Sequence, residues 1–333
     1  MYSSRKWISS LIALGSLLVV STGTLLAQDL KITGSAATGI GQVTLNEESS
    51  IDAVGEAAIN FAATKGAFSA QVELGVADDP GQALDTAEHE MVWAISDAMS
   101  LTLTGYGFGI ASVGGNISVI NAPGGQVGDM EANLDVSDLG LANFEYKMGD
   151  LTVGLGLVDA CVPACGYGVD GDGNEITGDT AAQTMVVHAR GSAGAMGYNA
   201  YVTSASATVG GADSATGSGL GVGVTFDGGS FTAALDYMSS TVGCITGLGC
   251  SDDVVFTAMG VAVTAAGAGL HYYSDSVAAG SVTGDAVTNI DLVYTFPVGD
   301  ATVGPEYRMV TTTPPEGDAT TDSFVVFGMS IGF

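Results

Sequence analysis

The last ten residues, FVVFGMSIGF (residues 324–333), alternate large apolar side chains with small or polar ones. The apolar series is Val325, Phe327, Met329, Ile331 and Phe333, and the residues between them include Gly328, Ser330 and Gly332. A period of two predicts a β-strand with one apolar face. In a water-soluble protein that face would be buried in a core, whereas in a membrane it would face lipid, and the rest of the sequence has to decide.

The N-terminal segment has the features of a secretory signal peptide. Arg5 and Lys6 precede an apolar run over residues 7–26, and Ala27 is a small residue suited to cleavage. The mature chain is then expected to span residues 28–333. The alternative is an uncleaved membrane anchor, because the run is nearly long enough to span a bilayer.

The composition favours strands and turns. Hydrophobic residues make up 47% of the chain, charged residues 13%, and there are 50 glycines, which disfavour helices. After the N-terminal segment no run reaches the roughly 20 consecutive apolar residues that a membrane helix needs. This composition fits either a secreted β-protein or an outer-membrane barrel.

Segments in which apolar and polar residues alternate recur through the chain, and the connections between them are alternately short and long. Such a rhythm is typical of a transmembrane antiparallel β-barrel with short periplasmic turns and longer extracellular loops, here of about 16 strands. One of the short turns is predicted over residues 191–197. The predicted strands span residues 30–40, 57–63, 68–76, 91–95, 101–109, 142–148, 151–158, 184–190, 198–202, 220–226, 231–238, 254–263, 268–274, 288–296, 302–310 and 324–333.

The signal peptide, the C-terminal aromatic of GMSIGF, the turn-and-loop rhythm and one long loop after the fifth strand occur here together. Because these features follow one another in this order, the chain resembles a Gram-negative outer-membrane general diffusion porin, of the sixteen-stranded alphaproteobacterial type. The resemblance implies a homotrimer of barrels, each narrowed by a third loop folded inward. The sequence departs from the family in having almost no arginine-rich wall to face that loop.

The third loop would span about residues 110–139. It carries only acidic charges, at Asp129, Glu131, Asp135 and Asp138. We expect these carboxylates to form a constriction that favours cations, as acidic rings do in cation channels. The alternative is an ordinary solvated extracellular loop.

Strand alternation assigns the side chains that face the pore once the apolar face is placed against lipid. Arg190 and Arg308 are the predicted wall partners of the acidic loop, with Glu306 beside them at the constriction. The predicted wall residues are Lys31, Glu56, Glu73, Glu145, Lys147, His188, Asp236, His271 and Asp291.

The four cysteines form two close pairs, which in an exported protein predict two local disulfides, Cys161–Cys165 and Cys244–Cys250. Zinc ligation by the four thiolates is the less favoured alternative, because no Cys-x-x-Cys spacing occurs. A second loop places oxygen donors at alternate positions, Asp170, Asp172 and Asn174, which suits a weak calcium site. The alternative is a hydrated acidic loop, and no other cofactor is expected.

The charge is strongly negative, −29 with 36 acidic against 7 basic side chains. Such a surface excludes nucleic acid and attracts cations, although adaptation to a saline habitat would give the same bias. Without a linear catalytic motif we expect no enzyme. The predicted function is a passive, water-filled, cation-preferring pore for small hydrophilic solutes in the outer membrane. The alternative is a barrel that displays acidic, disulfide-pinned loops for surface or ion binding.

Overall fold

The computed structural model describes residues 29–45, 48–76, 85–104, 140–158, 181–209, 213–243, 252–280 and 282–332. These residues form seventeen strands of one antiparallel sheet. Within the same ranges, no helix has the length and apolarity needed to cross a membrane. The strands are β1 (Asp29–Leu45), β2 (Glu48–Lys65), β3 (Phe68–Val76), β4 (Asp85–Ser96), β5 (Met99–Thr104), β6 (Gly140–Met148), β7 (Leu151–Val158), β8 (Ala181–Ala193), β9 (Met196–Val209), β10 (Asp213–Asp227), β11 (Phe231–Val242), β12 (Val254–Ala265), β13 (Ala268–Ala279), β14 (Val282–Tyr294), β15 (Phe296–Val298), β16 (Ala301–Thr313) and β17 (Thr320–Gly332).

The sheet closes on itself because its first strand has a neighbour on each side. Ala36 on β1 pairs with Ala57 on β2 and with Ile331 on β17. Around the rest of the sheet, successive strands are hydrogen-bonded in chain order. Closure leaves no row of unpaired backbone groups, which is what a β-protein needs in lipid. The predicted antiparallel β-barrel is confirmed.

Two of the strands, β14 and β15, share one position in the barrel. Both pair with β16, β14 through residues 286–293 and β15 through residues 296–298. The interruption at Thr295 lies beside Gly304, where the carbonyl oxygen of Tyr294 fills the space that a Cβ atom would need. With β14 and β15 counted as one, the described strands make a sixteen-position barrel, in agreement with the predicted strand number.

Tight turns join the strands at one end of the barrel. At residues 266–267 both φ angles are positive, 50° for Ala266 and 84° for Gly267, as in a two-residue type I′ hairpin. The predicted seven-residue turn over 191–197 is wrong, because β8 and β9 stay paired as far as Ala193 and Met196. The described turns at this end are residues 66–67, 97–98, 149–150, 194–195, 228–230, 266–267 and 299–300.

The connections at the opposite end are longer on the whole, with three exceptions. One is the link from β9 to β10, which has three residues because Val209 pairs with Asp213. Leu45 pairs with Glu48 and Ala279 with Val282, so only two residues link β1 to β2 and β13 to β14. The strands also extend further toward this end than predicted, as in β10, which begins at Asp213 rather than at residue 220.

The two faces of the barrel differ in the way predicted for the last strand. On β17 the side chains of Val325 and Phe327 are each 52% exposed, whereas Phe324 and Val326 are 3% and 2% exposed. The exposed side chains point outward from the closed sheet and the buried ones inward. The same alternation on the other strands gives the barrel an apolar outer face, with large hydrophobic side chains that remain exposed.

Candidate pore wall

The inner face of the barrel carries its buried polar side chains. Along its strand, each of them is flanked by residues that face outward and are mostly apolar. Buried apolar side chains such as Met238, Tyr273 and Phe324 share this face, so the inner wall is mixed, whereas the buried side of a water-soluble barrel is mainly apolar. The buried polar residues are Asn143, Thr184, His188, Asn199, Asp236, His271, Asn289, Asp291, Glu306 and Arg308.

A first group, the Asp291 cluster, joins β13, β14 and β16. The Nε atom of Arg308 donates to Oδ1 of Asp291 at 2.7 Å, and its Nη2 atom lies 3.6 Å from Oε1 of Glu306. Nδ1 of His271 lies 3.5 Å from Oδ2 of Asp291, to which the Asn289 amide also donates at 3.3 Å. Direct cross-strand pairing of Asp291 with both His271 and Arg308 brings the three together. One guanidinium therefore stands against two carboxylates.

A second group, the Glu145 cluster, joins β6 and β8 across β7. Nη2 of Arg190 donates to both carboxylate oxygens of Glu145, at 2.7 and 3.0 Å. Nε2 of His188 lies 3.0 Å from Oδ1 of Asn143 and 3.9 Å from Oε1 of Glu145. The Arg190 side chain is 56% exposed and that of Glu145 is 16% exposed, so this ion pair is more open to water than the one in the Asp291 cluster.

These pairs bear on the predicted constriction, because Arg190 and Arg308 were expected to face the acidic third loop. In the described residues each arginine already binds a carboxylate on the barrel wall, Glu145 or Asp291. Asp129, Glu131, Asp135 and Asp138 lie outside the described residues, as do Cys161, Cys165, Cys244, Cys250, Asp170, Asp172 and Asn174.

The remaining wall residues are placed by register. Lys31 and Lys147 occupy inward positions and are exposed, and Asp236 is buried on β11. Glu56 and Glu73 belong to β2 and β3, but their side chains lie outside the described part. In that described part, no group of three His, Cys, Asp or Glu residues is arranged to hold a metal ion.

Sequence reasoning missed the uncharged members of the wall. Asn143, Asn199, Asn289 and Tyr201 are all inward and buried. Alternation would also have identified Asn143 and Asn289, because each lies two residues from a charged wall residue on its own strand. Asn199 and Tyr201 are placed by register, since they pair directly with Arg190 and His188 on the adjoining strand.

Aromatic side chains on the outer face gather near the tight-turn end. The rings of Phe68 and Trp93 stack with centroids 5.8 Å apart, and those of Phe226 and Phe231 lie 5.6 Å apart across the turn at 228–230. Aromatic residues prefer the level of the lipid headgroups, where an apolar ring meets a polar layer. This aromatic belt marks one membrane boundary of the barrel.

No protein-family model matches this sequence, and a comparison with curated proteins gives no match. Solved structures do resemble it. Outer-membrane expressed OmpT of Vibrio cholerae is 13% identical, with a TM-score of 0.61 over 93% of this chain and 100% of that one. A trimer form of in-vitro folded Vibrio cholerae OmpT is 14% identical, with a TM-score of 0.61 over 92% and 99%. An anion-selective porin from Comamonas acidovorans is 9% identical, with a TM-score of 0.58 over 92% and 99%.

The closed sheet, the polar inner wall and these similarities define a transmembrane β-barrel with the fold of outer-membrane porins. The resemblance to a Gram-negative porin, inferred from the sequence, is therefore confirmed at the level of the fold. The predicted outer-membrane location is confirmed with it, because an apolar outer face on an edgeless sheet is suited to a bilayer.

Proposed function

We propose that the protein is a passive outer-membrane pore for small hydrophilic solutes. The supporting observation is the difference between the two faces of the barrel: ionisable and amide side chains lie on the inner face, while large apolar side chains stay exposed on the outer one. A polar interior is the feature of water-filled barrels, and sixteen strands give a barrel wide enough for an aqueous channel. A pore of this kind carries out no covalent chemistry.

The channel prefers cations in this proposal. Arg190 and Arg308 are each held by a wall carboxylate, so their charges are largely cancelled locally. In the Asp291 cluster two carboxylates, Asp291 and Glu306, lie within 3.6 Å of the single guanidinium of Arg308, so acidic side chains outnumber arginines there. The whole chain carries a net charge of −29, which raises the local concentration of cations.

Size selection and most of the charge selection belong to the third loop in this proposal. Asp129, Glu131, Asp135 and Asp138 would line the constriction, and residues 110–139 would fold into the lumen. A homotrimer is proposed from the resemblance to porins, and one of the similar structures is described as a trimer form. The two disulfides and a weak calcium site at Asp170, Asp172 and Asn174 remain proposals for the other loops.

Reversal potentials in a planar bilayer under a salt gradient test the proposal. The detergent-purified protein is compared with a variant in which Asp129, Glu131, Asp135 and Asp138 are changed to Asn or Gln. A matched control neutralises four carboxylates at the tight turns, Asp97, Asp150, Asp227 and Asp300, and so removes the same charge elsewhere.

We expect cation selectivity that weakens in the loop variant and not in the turn control. Selectivity unaffected by the loop change would assign the filter to the wall carboxylates. Folded, inserted protein without any conductance would contradict the pore itself and favour the surface-display barrel.

A further inference from the structure

Four residues form one continuous row across the inner wall: Gly154, His188, Tyr201 and Gly221. Gly154 on β7 pairs with His188 on β8, His188 pairs with Tyr201 on β9, and Tyr201 pairs with Gly221 on β10. Two large rings thus stand side by side in the middle of the row, with a glycine at each end. Because His188 and Tyr201 are direct cross-strand neighbours, the ring of each residue blocks the space over its own backbone from the ring of the other.

The imidazole of His188 lies flat over Gly154. A Cβ atom on Gly154 would overlap Nε2, Cε1 and Cδ2 of the ring. Crossing β7 in this way lets His188 reach β6, where its Nε2 atom lies 3.0 Å from Oδ1 of Asn143. The side chain is 5% exposed, so almost none of it projects into the lumen.

The phenol of Tyr201 lies flat in the opposite direction, over Gly221. A Cβ atom on Gly221 would overlap Cζ, Cε1 and the hydroxyl oxygen of the ring. The crossing directs the hydroxyl toward β11, the strand that pairs with Gly221 through Met238 and carries the buried Asp236. Tyr201 is 8% exposed.

We propose that Gly154 and Gly221 are positioning residues that set the open width of the pore on this side. Each supplies the gap in which a ring lies against the wall. A side chain at either position would fill that gap, and the neighbouring ring blocks the other side, so the displaced ring would project into the channel. The inference rests on the proposed pore function.

Single-channel conductance of Gly221→Ala in planar bilayers tests this role, together with the size limit for neutral sugars entering proteoliposomes. We expect Gly221→Ala to lower both, and Gly154→Ala to do the same through His188. The matched control is Gly219→Ala on the same strand and face. There a Cβ atom would approach the hydroxyl oxygen of Thr203 at 2.7 Å, and a rotation of that small side chain relieves the contact.

A double-mutant cycle separates displacement of the ring from general disturbance of the barrel. In a Tyr201→Ala background, Gly221→Ala should no longer lower the conductance, because no ring remains to be displaced. An equal loss with and without the ring would overturn the inference.

Tyr201→Ala alone supplies a test that keeps both glycines and does not depend on the folding of the glycine variants. A ring that lies flat occupies little of the channel, so its removal should leave the conductance close to wild type. A clear rise would show that the ring already projects into the lumen and would refute the inference. Wild-type protein that is folded and inserted but does not conduct would instead refute the pore function.

Discussion

Arg308 and Asp291 form a deeply buried ion pair on the described wall: Nε lies 2.7 Å from Oδ1, and the two side chains are 7% and 5% exposed. The pair joins β16 to β14 directly across the strand register. Arg190 and Glu145 form a pair with the same closest distance, 2.7 Å, but the arginine is 56% exposed. These two ion pairs have the same closest distance but differ in solvation, and they should therefore differ in their effect on stability.

Replacing Arg308 by Gln should destabilise the barrel markedly. The change leaves the buried carboxylate of Asp291 without its guanidinium partner, and breaking one side of a buried pair typically costs about 3–5 kcal/mol. The free energy of unfolding, measured with urea in detergent micelles, should fall by an amount of that order. A loss no larger than that of Arg190→Gln would contradict the difference in solvation.

Replacing Arg190 by Gln should change selectivity more than stability. The guanidinium that is removed is 56% exposed, so loss of the pair is expected to cost about 0.2–1 kcal/mol. The carboxylate of Glu145 would then act on passing ions without a compensating guanidinium, and the reversal potential should shift toward stronger cation preference. Glu145→Gln is the opposing variant, for which a shift in the other direction is expected; shifts of the same sign in both variants would count against this role.

A basic residue on the outer face should be costly at mid-strand and tolerated near the turns. Phe327, in the middle of β17, is 52% exposed to the membrane, and Phe327→Arg should lower the unfolding free energy by about 2–4 kcal/mol. Val298, next to the turn at 299–300 and 54% exposed, is the matched control, and Val298→Arg should cost at most about 1 kcal/mol. Equal costs at the two depths would be inconsistent with a membrane around this face.

The aromatic belt can be located with Trp93, which is 42% exposed and stacked on Phe68. It is the single tryptophan of residues 28–333, the expected mature chain, since the other tryptophan, Trp7, lies in the predicted signal peptide. Its fluorescence should be quenched most by lipids brominated near the headgroup, less by lipids brominated at the chain ends, and little by aqueous iodide. Strong iodide quenching with no lipid effect would place Trp93 in water.

Much of the barrel could be predicted from sequence because the apolar alternation of a lipid-facing strand is a local property. β7, predicted over residues 151–158, is found as Leu151–Val158. The outer parts of the longer strands escaped prediction because they lack that alternation. The early residues of β10, DSATGSG, are small and polar on both faces, and only pairing with β9 identifies them as strand.

The inner wall was predicted one residue at a time but not as a set of contacts. Alternation placed His188 and Arg190 on the inner face of β8. Nothing in the sequence, however, shows that they contact Asn143 and Glu145 two strands away. That contact needs β7 between them to present a glycine, Gly154, at the crossing point. The register of three strands decides it.

The sequence by itself determined the class of structure. Period-two apolarity, turn glycines and the aromatic residues of the last strand all act through nearest-neighbour chemistry, so they can be read along the chain. The tertiary structure alone decided which charges cancel and which rings lie flat, as with Arg308 on Asp291 and Tyr201 over Gly221. These depend on closure of the sheet and on strand register, which bring together residues far apart in the chain, and local alternation carries no information about such distances.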